Sequence, residues 1–278
     1  MKRLAVSFLA LTAILTGCTA QPPQPGMASP SAPTPTAAGE RDPLDPAGLV
    51  GLWRVDGAEG ESPDTWLVLG KELDLWRECG VAVGYWAARD DAVMVGIDDA
   101  ALRCDRDASW LTDTTAYRYT GDDVELLNRA GTVLATLVDD DTRPDDDSSL
   151  FSEPVQVTDH VSAHIRTALA LPPEASPAVD LVGRWLPVDS PGPSQPFIEF
   201  RDHGSWRSSD GCNRSDGRWV IGTEGAILAS TGPSTAMACE GMMQVGGWVY
   251  EASAVGLVGD ELRFYGDTGE VLGTLARG

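Results

Sequence analysis

The chain has 278 residues, with 42 Asp and Glu against 20 Lys and Arg, and its formal net charge at pH 7 is −22. An acidic surface of this kind repels phosphate backbones, so nucleic acid is excluded as an expected partner. It also repels anionic lipid head groups, so a purely electrostatic attachment to a membrane is not expected.

The chain begins with the pattern of a secretory signal. Lys2 and Arg3 precede an apolar run, residues 4–15, which is shorter than the about 20 residues that span a bilayer. The next residues, "LTGC" (15–18), resemble the lipobox of bacterial lipoproteins. In that family the cysteine takes a diacylglycerol and the peptide bond before it is cut. The alternative is an ordinary signal peptide in which the cysteine is accidental, but the position directly after the apolar run favours the lipobox.

The resemblance implies a signal peptide over residues 1–17 and lipidation of Cys18, with palmitate or a similar acyl chain. Two acyl chains anchor a protein stably, so we expect an extracytoplasmic protein held to a bacterial cell membrane. Residues 18–44 are rich in Pro, Ala, Ser and Thr and predict a disordered tether. No later stretch is apolar for 18 residues, so no second membrane segment is expected.

The rest of the chain contains an internal repeat. "LVGLW" (49–53) returns as "LVGRW" (181–185), and "GDDVELLNRAGTVLATL" (121–137) returns as "GDELRFYGDTGEVLGTL" (259–275). Each copy has about a hundred residues, enough for one small core. We therefore predict a domain over residues 45–138, a linker over 139–178, and a second domain over 179–278.

Both copies have the pattern of a mainly β fold. Short runs rich in β-branched and aromatic residues are bounded by Gly, Asp and Pro, as in "TWLVL", "PFIEF", "DDAVMVGI", "VELLN" and "ELRFY". A hairpin is predicted around residues 267–269. One stretch per copy has a helical pattern, and its tryptophans, Trp110 and Trp248, are predicted to anchor the core.

The linker begins with clustered carboxylates, residues 139–149, which lack the spacing of a calcium loop and predict a solvated connection. A short helix is then predicted from a cap at Thr158 or Asp159 to a stop at Pro172. Its apolar face would consist of Val161, Ile165, Ala168 and Leu169.

The second copy carries the motifs "GCNRSDGRW" (211–219) and "GPSTAMACEGM" (232–242). In this order they resemble the META domain family, to which heat-shock lipoproteins of the HslJ type belong. The resemblance covers residues 179–278. The first copy is a diverged version, in which "ECGVAVGYW" (78–86) lacks the asparagine. The resemblance implies a compact, antiparallel, barrel-like β fold with a short helix, and envelope proteins linked to stress. It implies no established enzyme activity.

The motif residues have structural roles in this interpretation. Gly211 and Gly217 suit a tight turn between strands with positive φ. Asn213 is predicted to bond its own backbone in that turn. Ser234 and Thr235 are predicted to cap the turn or the helix near Cys239.

Four cysteines besides Cys18 divide evenly between the copies. Only the pairs Cys79–Cys104 and Cys212–Cys239 keep each disulfide inside its own domain, and export favours oxidation. Zinc is the competing use, but neither copy offers a CxxC pair or nearby histidines.

No catalytic residue, cofactor or metal site is predicted. His160 and His164 lie four residues apart without a third ligand, and surface histidines are favoured over a metal site. A Ser-His-Asp site around His203 and the "SSDGC" stretch at Asp210 is a remote alternative, because no general base has a set spacing to a serine.

Two functional hypotheses follow. The first is a non-enzymatic envelope lipoprotein, related to stress or acting as an interaction module that docks another envelope protein. The second is a lipoprotein that binds a glycan or a small ligand, since nine tryptophans are present. Most of them repeat between the copies, as Trp53 and Trp185 do, and this favours core packing. The assignment is open for Trp66, Trp76 and Trp206.

Overall fold

The computed structural model describes residues 42–100, 108–140, 154–189, 195–235, 237 and 243–278. Cys18, the tether up to residue 41, Cys104, Cys239 and residues 141–149 of the acidic linker lie outside the described residues. The described residues belong to one compact unit, Glu40–Gly278. The fold is mainly β, as predicted.

The first repeat forms a closed barrel of eight antiparallel strands. Each strand pairs with the next along the chain, and the last pairs with the first, with Val55 opposite Leu137. Asp45 caps a short 3-10 helix, Pro46–Leu49, that precedes the barrel. A four-residue helix, α1 (Ser109–Thr112), lies between the fifth and sixth strands. The strands are β1 Gly51–Asp56, β2 Trp66–Leu69, β3 Leu73–Arg77, β4 Gly80–Arg89, β5 Ala92–Ala100, β6 Ala116–Thr120, β7 Asp123–Leu127 and β8 Val133–Val138.

In the segment between the repeats, the helix is shorter than the sequence predicts. Thr158 caps α2 (Asp159–Ser162), as the sequence indicates, and its hydroxyl accepts from the Val161 N–H at 3.3 Å. The helix then ends, because Ile165–Arg166 forms strand β9 and pairs in parallel with the end of β4. A later two-residue strand, β10, is Ser176–Pro177.

The second repeat forms a sheet with the same order of elements. A helix, α3 (Val245–Glu251), again follows the fifth strand. A β-bridge between Ala226 and Ala254 joins the fifth and sixth strands, at the place where Ala92 pairs with Ala116 in the first barrel. We call the sheet of the second repeat the second sheet. Its strands are β11 Gly183–Pro187, β12 Phe197–Phe200, β13 Ser205–Ser209, β14 Arg214–Ile221, β15 Ile227–Ala229, β16 Ala254–Val258, β17 Glu261–Tyr265 and β18 Val271–Arg277.

Alternation along the strands places one face of each repeat inside. Trp53 and Trp185 are both buried, and the indole N–H of each donates to a leucine carbonyl four residues earlier, Leu49 or Leu181, at 2.8 Å. Satisfying the indole N–H lets so large a side chain be buried at low cost. The predicted role of these tryptophans in the core is therefore confirmed.

Within the described ranges, no helix has the length and apolar character needed to cross a membrane.

Candidate functional site

The family motif of the second repeat builds the turn between β13 and β14. Gly211 has φ +93°, as the sequence predicts for a tight turn. The Asp210 carboxylate accepts from the Cys212 N–H at 2.7 Å and from the Asn213 N–H. Burial alone would raise the pKa of Asp210, but these donors together outweigh it and hold that pKa below its usual range.

Asn213 does not bond its own backbone, which corrects the prediction. Its Nδ2 donates to the Met237 carbonyl at 2.8 Å, and its Oδ1 accepts from the Met237 N–H at 2.6 Å. Asp210 accepts the backbone N–H groups of the turn, and the Asn213 amide, which also donates to Asp210 Oδ2 at 3.0 Å, holds a distant segment. The Thr235 hydroxyl accepts from the N–H of Arg214, the first residue of β14, at 3.1 Å and fastens the same segment to that strand. The predicted cap near Cys239 lies outside the described residues.

Gly217 is also not a turn residue. It lies within β14, where an added Cβ would stand 1.8 Å from the Ser230 carbonyl oxygen. The corresponding glycine of the first barrel, Gly84 in β4, would meet the Gly96 oxygen at 2.0 Å. Close approach of the neighbouring backbone, not a positive φ, therefore explains why glycine stands five residues after the cysteine in both copies.

The two described cysteines have equivalent positions. Cys79 lies in the turn between β3 and β4, and Cys212 in the turn between β13 and β14. Their expected partners, Cys104 and Cys239, are outside the described residues, so both disulfide pairs stay predictions.

The tryptophans that the sequence left open lie mostly inside. Trp206 has 1% of its surface exposed and Trp66 has 6%, and the Trp206 indole N–H donates to the Ser230 carbonyl at 3.0 Å. Trp76 is half-buried. A sugar therefore finds no open face on Trp66 or Trp206, and the interior supports packing over ligand binding.

The first barrel and the second sheet contact each other through arginines, which sequence reasoning missed. Arg218 on β14 donates to the carbonyls of Val95 at 2.6 Å and Thr112 at 2.5 Å. Arg129, in the turn before β8, lies 3.9 Å over the Trp219 ring and donates to the Trp219 carbonyl at 3.1 Å. Both guanidinium groups thus bind backbone of the other repeat.

A second group of contacts lies at the turn between β4 and β5. Arg89 donates to the Ala252 carbonyl at 2.9 Å, and its side chain is 12% exposed. Asp91 accepts from the N–H and the hydroxyl of Thr223, at 3.0 and 2.8 Å. A small apolar cluster lies between these polar contacts and consists of Ala92, Met94, Val220 and Leu228.

Two clefts of about 350 Å³ each flank Arg129 where the repeats meet. The first, which we call the β6 cleft, is lined by Asp91, Arg118, Leu127, Val179 and Ile221 among others. The second, the His203 cleft, includes Thr112, Asp113, Asp202, His203 and Arg218.

Asp202 and His203, which line the His203 cleft, belong to a hydrogen-bonded chain of the Ser-His-Asp type whose serine is the neighbouring Ser205. Ser205 Oγ is 2.7 Å from His203 Nε2, and His203 Nδ1 is 3.3 Å from Asp202 Oδ1. The acid is thus Asp202 and not Asp210. The side chains of Asp202 and His203 are 90% and 63% exposed, so water screens the carboxylate that would orient and stabilise the imidazole.

The remaining histidines, His160 and His164, have ring centroids 5.3 Å apart in an edge-to-face arrangement. Burial, followed by repulsion from His160, lowers the pKa of His164. Among the described residues, no three side chains from His, Cys, Asp and Glu gather closely enough to hold a metal ion.

Comparison with known proteins adds no relative. No protein-family model matches the chain. Neither a curated protein nor a solved structure is significantly similar to it.

Proposed function

We propose that this chain is a non-enzymatic lipoprotein of the cell envelope, in which two META-like domains form one interaction module on a lipid anchor at Cys18. One observation carries the proposal: the polar side chains of the motif hold the protein's own backbone. Asn213 and Thr235 bind the segment near Met237, and Asp210 binds the turn. A motif used in this way stabilises a scaffold.

The anchor is tested by cell fractionation of the full chain and its Cys18→Ala variant. We expect wild type in the membrane fraction with a diacylated, N-terminal Cys18, and the variant uncleaved and without lipid. Mass spectrometry of the N-terminal peptide decides between them. A wild-type protein with an unmodified cysteine at this position would contradict the lipoprotein proposal.

The proposal that the protein is not an enzyme is tested at the Ser205–His203–Asp202 chain, whose geometry comes closest to that of a catalytic site. We expect no turnover of ester, peptide or glycoside substrates by the wild-type protein. If turnover is found, Ser205→Ala and the exposed control Ser62→Ala are compared. Loss of turnover in Ser205→Ala alone would assign a hydrolase to the His203 cleft and overturn the proposal.

A second candidate, binding of a glycan or another small ligand, is favoured by the two clefts beside Arg129. Binding to the folded state raises the melting temperature by mass action. A screen of glycans and envelope lipids by thermal shift, repeated with Arg129→Gln, therefore separates a cleft ligand from a surface one. If the ligand raises the melting temperature of Arg129→Gln as much as that of wild type, these clefts are excluded as the binding site.

A further inference from the structure

The two repeats differ at one strand edge. In the second sheet, the outer edge of β16 is covered by β10, with Ser176 opposite Leu257 and Pro177 opposite Gly256. The Ala178 N–H that follows donates to the Val255 carbonyl at 3.1 Å. The chain thus supplies its own short strand to this edge.

The sixth strand of the first barrel, β6, is equivalent to β16 and contacts its preceding strand in the same way, but no strand equivalent to β10 is described beside it. Tyr117 N–H donates to the Asp91 carbonyl at 3.1 Å, as Val255 N–H donates to the Gly225 carbonyl at 2.8 Å. The pairing between β5 and β6 is limited to Ala92 with Ala116. The rest of β6 therefore extends beyond its neighbour β5.

The Tyr117 carbonyl is equivalent to the Val255 carbonyl, which accepts from the Ala178 N–H directly after β10. Because N–H and C=O of one strand residue point to the same side, this oxygen faces the β5 side and not β7. Within the described ranges, no backbone N–H outside the regular strand ladders donates to it. The β6 cleft lies along residues 115–118 at this same edge.

The geometry points to β6 as a docking edge for an extended peptide from a partner protein, which would pair antiparallel with β6 as β10 pairs with β16. Strand addition of this kind takes affinity from backbone hydrogen bonds and specificity from side-chain pockets. The inference rests on the proposed function as an interaction module and specifies its partner.

The walls of the cleft define the chemistry of that peptide. Ile221 and the 63% exposed Val179 offer apolar contacts to small or aliphatic side chains. The Arg118 side chain is 60% exposed although its Nε and Nη2 donate to Glu125, and Arg129 donates to the Trp219 carbonyl through Nη2. These two guanidinium groups favour a peptide that carries carboxylates.

A comparison of the β16 edge with the β6 edge shows what a peptide bound to β6 would have to accommodate. Gly225 and Gly256 lie against Pro177 and Ala175, where side chains would obstruct β10. The first barrel has Asp91 and Arg118 at the equivalent positions, so its peptide must pass two charged groups. This difference explains why β10 itself is expected to bind β6 more weakly than a cognate partner.

A suitable probe is a fluorescein-labelled peptide with the sequence of residues 172–180, "PPEASPAVD", which contains the native strand and two carboxylates. We expect saturable binding to the full chain in detergent micelles, measured by anisotropy. Methylation of the peptide nitrogen equivalent to Ala178 removes one donor and should weaken binding at least tenfold. Methylation at the next residue, Val179, is the matched control.

The site is located with two protein variants. Arg118→Glu should weaken binding about tenfold, whereas Arg214→Glu, a charge reversal on the exposed end of β14, should not. Absence of binding, equal binding of both methylated peptides, or equal binding to Arg118→Glu and wild type would each overturn the inference. The last outcome would indicate exchange with β10 at β16. None of these results depends on Cys18, so failure of the lipid anchor is a separate result.

Discussion

The first barrel and the second sheet have similar buried residues at equivalent positions, but their outward-facing residues differ. Inside, Trp86 and Trp219 are each 1% exposed, seven residues after equivalent cysteines. Outside, four neighbouring strands of the second sheet present a row of alternating charge, whereas the first barrel presents a mostly apolar row. The charged row is Arg184, Glu199, Arg207 and Asp216, and the apolar row is Leu52, Val68, Asp74 and Val83.

The comparison teaches that packing fixes the interior of a repeat while its surface can diverge. Arg207 Nη2 donates to Glu199 at 2.7 Å, and this pairing is the first cause of the lowered pKa of Glu199. Asp74 stands among apolar neighbours, and burial, followed by repulsion from Glu72, raises its pKa. The row on the second sheet thus stabilises the charge of a carboxylate, whereas the equivalent row on the first barrel disfavours it.

The largest expected effect concerns the predicted disulfides, which would make the repeats equivalent. Cys212→Ser should destabilise by about 3 to 4 kcal/mol, because it would release a closed loop in the unfolded chain. Cys79→Ser should cost a similar amount. Peptide mapping without reduction is expected to link Cys79 to Cys104 and Cys212 to Cys239; a link between the repeats would contradict the equivalence.

The next effect tests the shared close approach of strands. Gly217→Ala and Gly84→Ala should each cost about 3 kcal/mol, because the new Cβ would overlap a neighbouring carbonyl. Gly247→Ala in α3 is the control, since the nearest atom there is 3.7 Å away and alanine favours helix. Urea unfolding measures all three; a tolerated Gly84→Ala would show that the repeats differ inside as well.

A smaller effect tests whether the repeats unfold together. Arg218→Ala removes two hydrogen bonds to backbone carbonyls of the first barrel and should destabilise by about 2 kcal/mol. Arg214→Ala on the same strand should change stability by less than about 0.5 kcal/mol. Calorimetry is expected to give one transition for wild type and two for Arg218→Ala. Two transitions in wild type would mean that the interface contributes little.

The smallest effect depends on pH. The pKa of Asp210 is lowered in the folded state, so its ionised form stabilises the fold above the unfolded value of about 3.9. This contribution is lost as the pH falls through the folded pKa. The stability difference between wild type and Asp210→Asn should therefore be larger at pH 7 than at pH 2, by urea unfolding. A difference independent of pH would assign no role to the charge.

The sequence predicted the strands well because their signals are local. β17 (Glu261–Tyr265) coincides with "ELRFY", and β12 (Phe197–Phe200) with "FIEF". The helix after Thr158 was predicted too long. Its apolar spacing fits a helix, but Ile165 instead pairs beside Ala88 on β4, and a partner so far along the chain leaves no local signal.

The contacts between the repeats were beyond sequence reasoning for a related physical reason. An arginine on a strand has the same pattern whether it faces water, like Arg214, or binds the other repeat, like Arg218. Asn213 was recognised as part of a motif, but its partner Met237 lies 24 residues away. Tertiary geometry, and not residue type, decides which of these side chains is used.

The segment between the repeats contacts both of them, since β9 ends at Arg166 on the first barrel and β10 begins at Ser176 on the second sheet. Arg166 also forms an ion pair with Asp267, which joins β9 to the turn after β17. A protease that nicked the chain between these two short strands would leave a piece of linker bound on each side of the cut. The halves would then travel as one species on native gel filtration and separate only in denaturant, which makes this segment a natural position for a split-protein reporter.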